Sequence, residues 1–265
     1  MKHCYKEHRF GAEALAKIVQ ANRIVAEYQA QGLRLTARQL YYQFVSRDWS
    51  KNTQRDYKNL TGLLSDARLA GLVDWDAIED RTRQADIPLQ FDSLEHRVKS
   101  AIANFRLPRW RGQPNYVELW VEKDALAGVL EPLAREFHVP LMVNRGYSSS
   151  SAMYVAAQRF IDELEGRAGD HDEPEAHLLY LGDFDPSGED MVRDIRERLE
   201  LFDVPAHQLT VTKIGLTWPQ IQQYRPPPNA AKVTDSRAAA YIARHGNQSW
   251  EVDALDPARL DALVR

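Results

Sequence analysis

The sequence predicts an α/β protein whose first part is helical and whose second part is built on strands that run into helices. Three observations predict it. Residues 177–188 read H-L-L-Y-L-G-D-F-D-P-S-G, an apolar run of the buried-strand type that ends in two acids and passes through Pro186 and Gly188 into a polar, helix-prone segment. Residues 116–128, Y-V-E-L-W-V-E-K-D-A-L-A-G, repeat that form, with a strand over 117–121 that ends in Glu122 and Lys123 before a helix. Residues 11–70 carry successive segments of helical periodicity.

The first helix covers residues 11–31, where Ala14, Leu15, Ile18, Val19, Ile24, Val25 and Tyr28 recur at helical spacing and Gly32 ends the run. A second opens at Thr36, a good N-cap, with Leu40, Phe44 and one tyrosine as its apolar stripe. The third runs from about Thr53 to Ala70, is broken by Gly71, and is followed by L-V-D-W as a short strand. Helices followed by such a strand predict a winged helix-turn-helix, whose third helix enters the major groove. On that helix Arg55, Lys58 and Asn59 are spaced for phosphate or base contact. Residues 80–110 are less periodic: an extended segment with Pro88, a helix over 93–105, and a basic stretch in which Arg106, Arg109 and Arg111 surround Trp110. They connect the two domains, 1–111 and 112–265, with the boundary near 112–115. A further strand is expected at 209–213.

With 265 residues the chain can bury a real core, and 44% hydrophobic with 27% charged residues is a globular composition. A single cysteine, Cys4, excludes an internal disulfide framework and a thiolate metal cluster. No apolar stretch reaches the length of a membrane span and the N-terminus lacks a signal-peptide core, so a soluble cytoplasmic protein is expected. The net charge of −4 is uneven: residues 1–111 hold 19 Lys+Arg against 13 Asp+Glu, and the rest hold 15 against 25. The first part is therefore the expected polyanion binder.

Asp183 and Asp185, two apart, are expected on one side at the carboxyl end of a strand, where open α/β sheets place ligands. Two adjacent carboxylates repel unless a cation lies between them, and hard oxygen donors with room for water and phosphate suit Mg²⁺ (or Mn²⁺).

A glutamate after one strand and D-x-D after a later one resembles the Toprim domain, the metal-dependent catalytic module of topoisomerases, primases and several nucleases. Glu122, Asp183 and Asp185 are the matching positions, and the resemblance implies that they hold Mg²⁺, with Lys123 at the rim where a phosphate arrives. The ending S-W-E-V-D-A-L-D-P resembles the stretch that follows the Toprim core in topoisomerase VI A subunits. Glu251 is its polar centre, either a metal ligand or the partner of Arg237 or Arg244, the structural role being preferred.

A winged helix ahead of a Toprim domain resembles the order of the topoisomerase VI A subunit and of the related meiotic double-strand-break transesterase. Their tyrosine motif matches Arg38, Gln39, Leu40, Tyr41 and Tyr42, which implies Tyr42 as nucleophile and Arg38 as its partner. An arginine four residues earlier on a helix lies on the same face and favours the ionised phenol. The resemblance further implies cleavage of double-stranded DNA, a homodimer in which one subunit's metal serves the other's tyrosine, and a separate ATPase subunit, since no phosphate-binding loop for ATP is present. Two other readings stay open: a defence-type Toprim nuclease that cuts DNA with metal-activated water, and a DNA-binding protein without catalysis.

Overall fold

The fold comes from a computed structural model that describes residues 2–79, 90–107, 109–110, 112–231, 235 and 237–265. The expected extended segment around Pro88, and Arg111, lie outside the described residues.

Helix α1 (Ala12–Gln29) ends where Gly32 adopts φ +75°, as its sequence signal predicts. Ile18, Ile24, Val25 and Tyr28 are buried, but Leu15 and Val19 are exposed, because the helix's apolar face is wider than the surface that covers it. Strand β1 (Leu35–Thr36) runs directly into α2 (Ala37–Ser46), where Thr36 and Gln39 form a reciprocal capping box. Helix α3 (Gln54–Leu69) is capped by Thr53 and stops before Gly71, at φ +73°. A Cβ on Gly71 would lie 2.9 Å from the Cys4 nitrogen, so the N-terminal segment that bridges Cys4 to Ala70 requires glycine there.

The strand expected at L-V-D-W is displaced. Leu72 and Val73 form a bend, Trp75–Ala77 is a 3₁₀ turn, and strand β2 is Ile78–Glu79, parallel to β1. Asp74 caps the 3₁₀ turn, which shifts extension to the residues after it. Helix α4 (Leu94–Asn104), capped by Ser93, buries none of its residues.

A four-stranded parallel sheet forms the second part, in the order β4-β3-β5-β6, from β3 (Asn115–Val121), β4 (Leu141–Val143), β5 (Glu175–Leu181) and β6 (Leu209–Gly215). Helices cover both faces, so the strands are apolar on both sides. Helix α5 (Ala127–Phe137) packs with Leu119, Val121 and Leu181 on one face, while α6 (Ser150–Ala168) and α7 (Pro186–Leu201) cover Trp120, Leu178 and Tyr180 on the other. An acid inside this packing, Glu118, is fully buried and fully engaged: it accepts from Tyr116 at 2.5 Å, Trp120 at 2.7 Å and Arg159 at 2.6 and 2.8 Å.

Helix α8 (Trp218–Tyr224) follows, then β7 (Asn229–Ala230), α9 (Ala238–His245), β8 (Gln248–Ser249), antiparallel to β7, and α10 (Pro257–Val264). Phe184 and Trp250 exchange backbone hydrogen bonds at 2.8 and 2.9 Å, which anchors the segment carrying Glu251 at the carboxyl end of the sheet. From there the 3₁₀ turn Val252–Ala254 packs against α2, and Ala254 is buried in the hydrophobic core of α1, α2 and α3. Arg109 and Trp110 are docked on the last turn of α5, donating to the Glu136 and Phe137 carbonyls. Among the described residues no helix is long and apolar enough to cross a membrane.

Candidate functional site at the carboxyl end of the sheet

Strand β3 ends at Val121 and β5 at Leu181, and the residues just beyond them turn away from the sheet on the same edge. Glu122 accepts from the Asp183 amide at 2.9 Å, joining the two strand ends. The Tyr180 hydroxyl stands 3.4 Å from Glu122, and burial, then Glu122, Asp183 and Asp185, push its pKa up.

Asp183 and Asp185 flank Phe184, which pairs with Trp250 beyond the end of β5. Asp183 accepts from the Val252 amide at 2.9 Å and pairs with Lys123 at 3.0 Å. Asp185 caps α7, accepting from the Gly188 amide at 2.6 Å. Gly188 is obligatory: a Cβ there would lie 2.2 Å from the Asp183 carbonyl oxygen. Both acids are buried. Burial raises Asp183 to about 7, with Lys123 pulling it down and Glu122 and Asp253 pushing it further up.

Lys123 is not free at the rim. Its ammonium sits among Asp183, Glu251 at 2.9 Å and Asp253 at 2.8 Å. Burial disfavours the charged lysine, but these three carboxylates outweigh it and raise its pKa.

Glu251 pairs with neither Arg237 nor Arg244. Arg237 is engaged by Asp190 and Asp235, whereas Glu251 faces the helical part of the chain. Its Oε2 accepts from Lys123, from Arg38 (Nε 3.1 Å) and from the Tyr42 hydroxyl at 2.8 Å, and its Oε1 accepts from Asn229 at 3.2 Å. Burial opposes its ionisation, yet Lys123 and Arg38 hold it down at about 2. Arg38 Nε also stands 3.0 Å from Asp253 Oδ2, close enough for an ion pair but without hydrogen-bond alignment, since that buried oxygen has no hydrogen-bond partner among the described residues.

Tyr42 is 3% exposed and its hydroxyl lies 3.4 Å from Arg38. Burial, Asp253 and Glu251 push the phenol up, and the opposing pull of Arg38 does not compensate. Tyr41 points elsewhere, donating to the Lys51 and Thr53 carbonyls at 2.9 and 3.0 Å. The structure thus links Tyr42, Arg38, Glu251, Lys123 and Asp183 in one polar chain. Arg55, Lys58 and Asn59 stand apart on the exposed surface of α3, and Arg55 and Lys58 have no carboxylate partner among the described residues.

Asp253, Asn229 and Tyr180 were not singled out in the sequence. For Asp253 a signal existed: E-V-D repeats the two-residue spacing of D-F-D.

Among the described residues, no three Asp, Glu, His or Cys side chains form a ready group for a metal ion. The donor chemistry nevertheless fits a hard divalent cation: the acids are oxygen donors, and Asp183 is raised by burial, with Glu122 and Asp253 adding to it, a penalty on its charged form that a bound cation would offset. No protein-family model matches the chain, and no curated protein matches it.

Proposed function

We propose that the protein is a Mg²⁺-dependent DNA-cleaving enzyme of the winged-helix and Toprim order that its motifs resemble. The observation that carries this reading is that Glu122, Asp183 and Asp185 follow the carboxyl ends of two adjacent parallel strands, with Glu122 accepting from the Asp183 amide and Lys123 paired to Asp183. These three acids would hold Mg²⁺ or Mn²⁺, and the bound ion would supply positive charge to the scissile phosphate.

Tyr42 is the proposed nucleophile. Its hydroxyl donates to Glu251, which Lys123 and Arg38 hold in place, so the phenol oxygen is oriented by a fixed carboxylate. Tyr42 Oη would form the phosphotyrosyl bond and give its proton to water, while the phosphate-to-sugar oxygen bond breaks and the leaving oxygen takes up a proton from water. One observation favours the second reading, attack by water: Tyr42 is almost fully buried, and its phenol is harder to ionise than a free tyrosine's. Duplex DNA and a second copy of the chain are the proposed partners, with a separate ATPase subunit as a further one.

Labelled duplex DNA incubated with the protein and Mn²⁺, quenched in detergent, separates the readings. Transesterification gives label on the wild-type protein and on Tyr41→Phe, and none on Tyr42→Phe. Water attack gives free ends from wild type and Tyr42→Phe alike. Cleavage that survives Glu122→Gln would exclude this site, and the absence of both adducts and free ends would leave DNA binding without catalysis.

A further inference from the structure

The loop between α2 and α3 and the loop after α8 face each other across an open cleft of about 1110 Å³. Its cations, Arg47, Lys51, Arg225 and Arg259, outnumber its acids, Asp48 and Asp256. Asp256 is already engaged, accepting from the Tyr28 hydroxyl and from the Ala258 amide. Lys51 and Arg225 are exposed and have no carboxylate partner among the described residues. Of the other two cations, Arg259 stands over the Tyr224 ring at 4.8 Å, and Arg47, 5.8 Å from the Trp49 ring, is paired with Glu27 at 2.7 Å. One wall is stiff: Arg225 has φ +49° and is followed by Pro226, Pro227 and Pro228, whose rings fix the backbone.

The cleft adjoins a second, smaller pocket. Asn52 lines it and also lines a small pocket of about 80 Å³ bounded by Tyr42, Arg38 and Glu251. Asn52 donates to the Pro228 carbonyl at 2.7 Å and to Asn229 Oδ1 at 2.8 Å, and Asn229 in turn donates to Glu251. A cleft lined by exposed cations and by aromatic side chains is the form of a single-strand path.

We infer that this cleft binds the sugar-phosphate backbone of one nucleic-acid strand, through Lys51 and Arg225, beside the Tyr42 pocket. The inference rests on the proposed DNA-cleaving function for its purpose, but binding is measurable apart from it.

Fluorescence anisotropy with labelled oligothymidylate is run in EDTA, where no metal chemistry contributes. A slope of about 0.7 in log K against log salt per contacted phosphate makes Lys51→Gln/Arg225→Gln bind roughly 25-fold more weakly at about 0.1 M salt, with the slope shallower by about 1.4. Both positions are exposed, and an unchanged melting temperature verifies that the variant is folded. Wild-type protein that does not bind the oligonucleotide, or a variant with unchanged affinity and slope, overturns the inference. An equal loss in the charge-matched control Arg193→Gln/Arg196→Gln also overturns it, because bulk charge would then suffice. Competition by tripolyphosphate as effective, per phosphate, as unlabelled oligonucleotide would reassign the cleft to small polyanions. Binding in EDTA with no cleavage in Mn²⁺ sinks the enzymatic reading alone, while cleavage retained with strand binding unaffected by the double variant sinks the cleft alone.

Discussion

Tyr42 donates its phenolic hydrogen to Glu251 at 2.8 Å across a sequence separation of 209 residues, and this bond ties the helical part of the chain to the carboxyl end of the sheet. The same Glu251 oxygen also receives Arg38 and Lys123. Replacing Glu251 by Ala leaves two cations and a phenol short of a partner. Because the carboxylate is partly exposed, the expected loss is about 2 kcal/mol rather than the larger cost of breaking a fully buried pair. For a chain of this size that corresponds to a melting temperature lower by roughly 4–8 °C, measured by calorimetry. Tyr42→Phe, which removes a single hydroxyl, is expected to lose less than half as much.

The acid limb of the stability curve carries the sign of the same interaction. Glu251 is held at about 2, below its ordinary 4.5, so the unfolded chain takes up its proton first as pH falls. Its contribution is complete above about pH 4.5 and is lost on descending toward pH 2. The stability difference between wild type and Glu251→Gln is therefore expected to be largest near neutrality and to close between about pH 5 and 2 in urea titrations. A constant difference across that range would remove the ionic role assigned to Glu251.

Metal binding is expected to stabilise the fold through Asp183 and Asp185. Mn²⁺ at about 100 times its dissociation constant adds about 2.7 kcal/mol, a rise that thermal denaturation resolves. Asp183→Asn/Asp185→Asn keeps an oxygen to cap α7 and is expected to show no such rise. Equal Mn²⁺ affinity in wild type and variant, by titration calorimetry, would exclude these ligands.

Gly188 tests the corner itself. A methyl at this position meets the Asp183 backbone oxygen at 2.2 Å, and backbone cannot swing aside as a side chain can. Gly188→Ala is expected to cost about 3 kcal/mol, at the upper end for overpacking, whereas Gly166→Ala on α6, where nothing lies within 4 Å, is expected to be neutral or stabilising.

Duplex binding is expected to depend on Arg55 and Lys58. Their replacement by Gln should weaken binding at every sequence and reduce the salt slope by about 1.8, as two fewer phosphates are neutralised. A gel-shift titration that finds no duplex binding by the wild type would instead assign α3 to protein contact.

The sequence was most informative where structure is set by near neighbours. Thr36, Thr53 and Ser93 mark helix starts because each cap acts within three residues. The strands that end at Glu122 and before Asp183 were legible because a strand buried on both faces is a short apolar run. The displaced β2 was not, since a two-residue strand has no period to detect and Asp74 reassigns the residues before it. Nor was the site's ion pairing. Lys123 turns inward because Glu251 and Asp253, 128 and 130 residues away, arrive beside it, and no local spacing encodes that meeting. Glu251 misled for the same reason: Arg237 and Arg244 are its neighbours in sequence, whereas Arg38 is 213 residues distant.

Ala254 belongs by sequence to the acidic C-terminal half and by packing to the core of α1, α2 and α3, while Asp256 receives the Tyr28 hydroxyl. Any transplant of the helical part onto another catalytic body must therefore carry residues 251–256 with it or refill the vacated space. An order of modules that looks separable along the chain is, in three dimensions, inherited as a single piece.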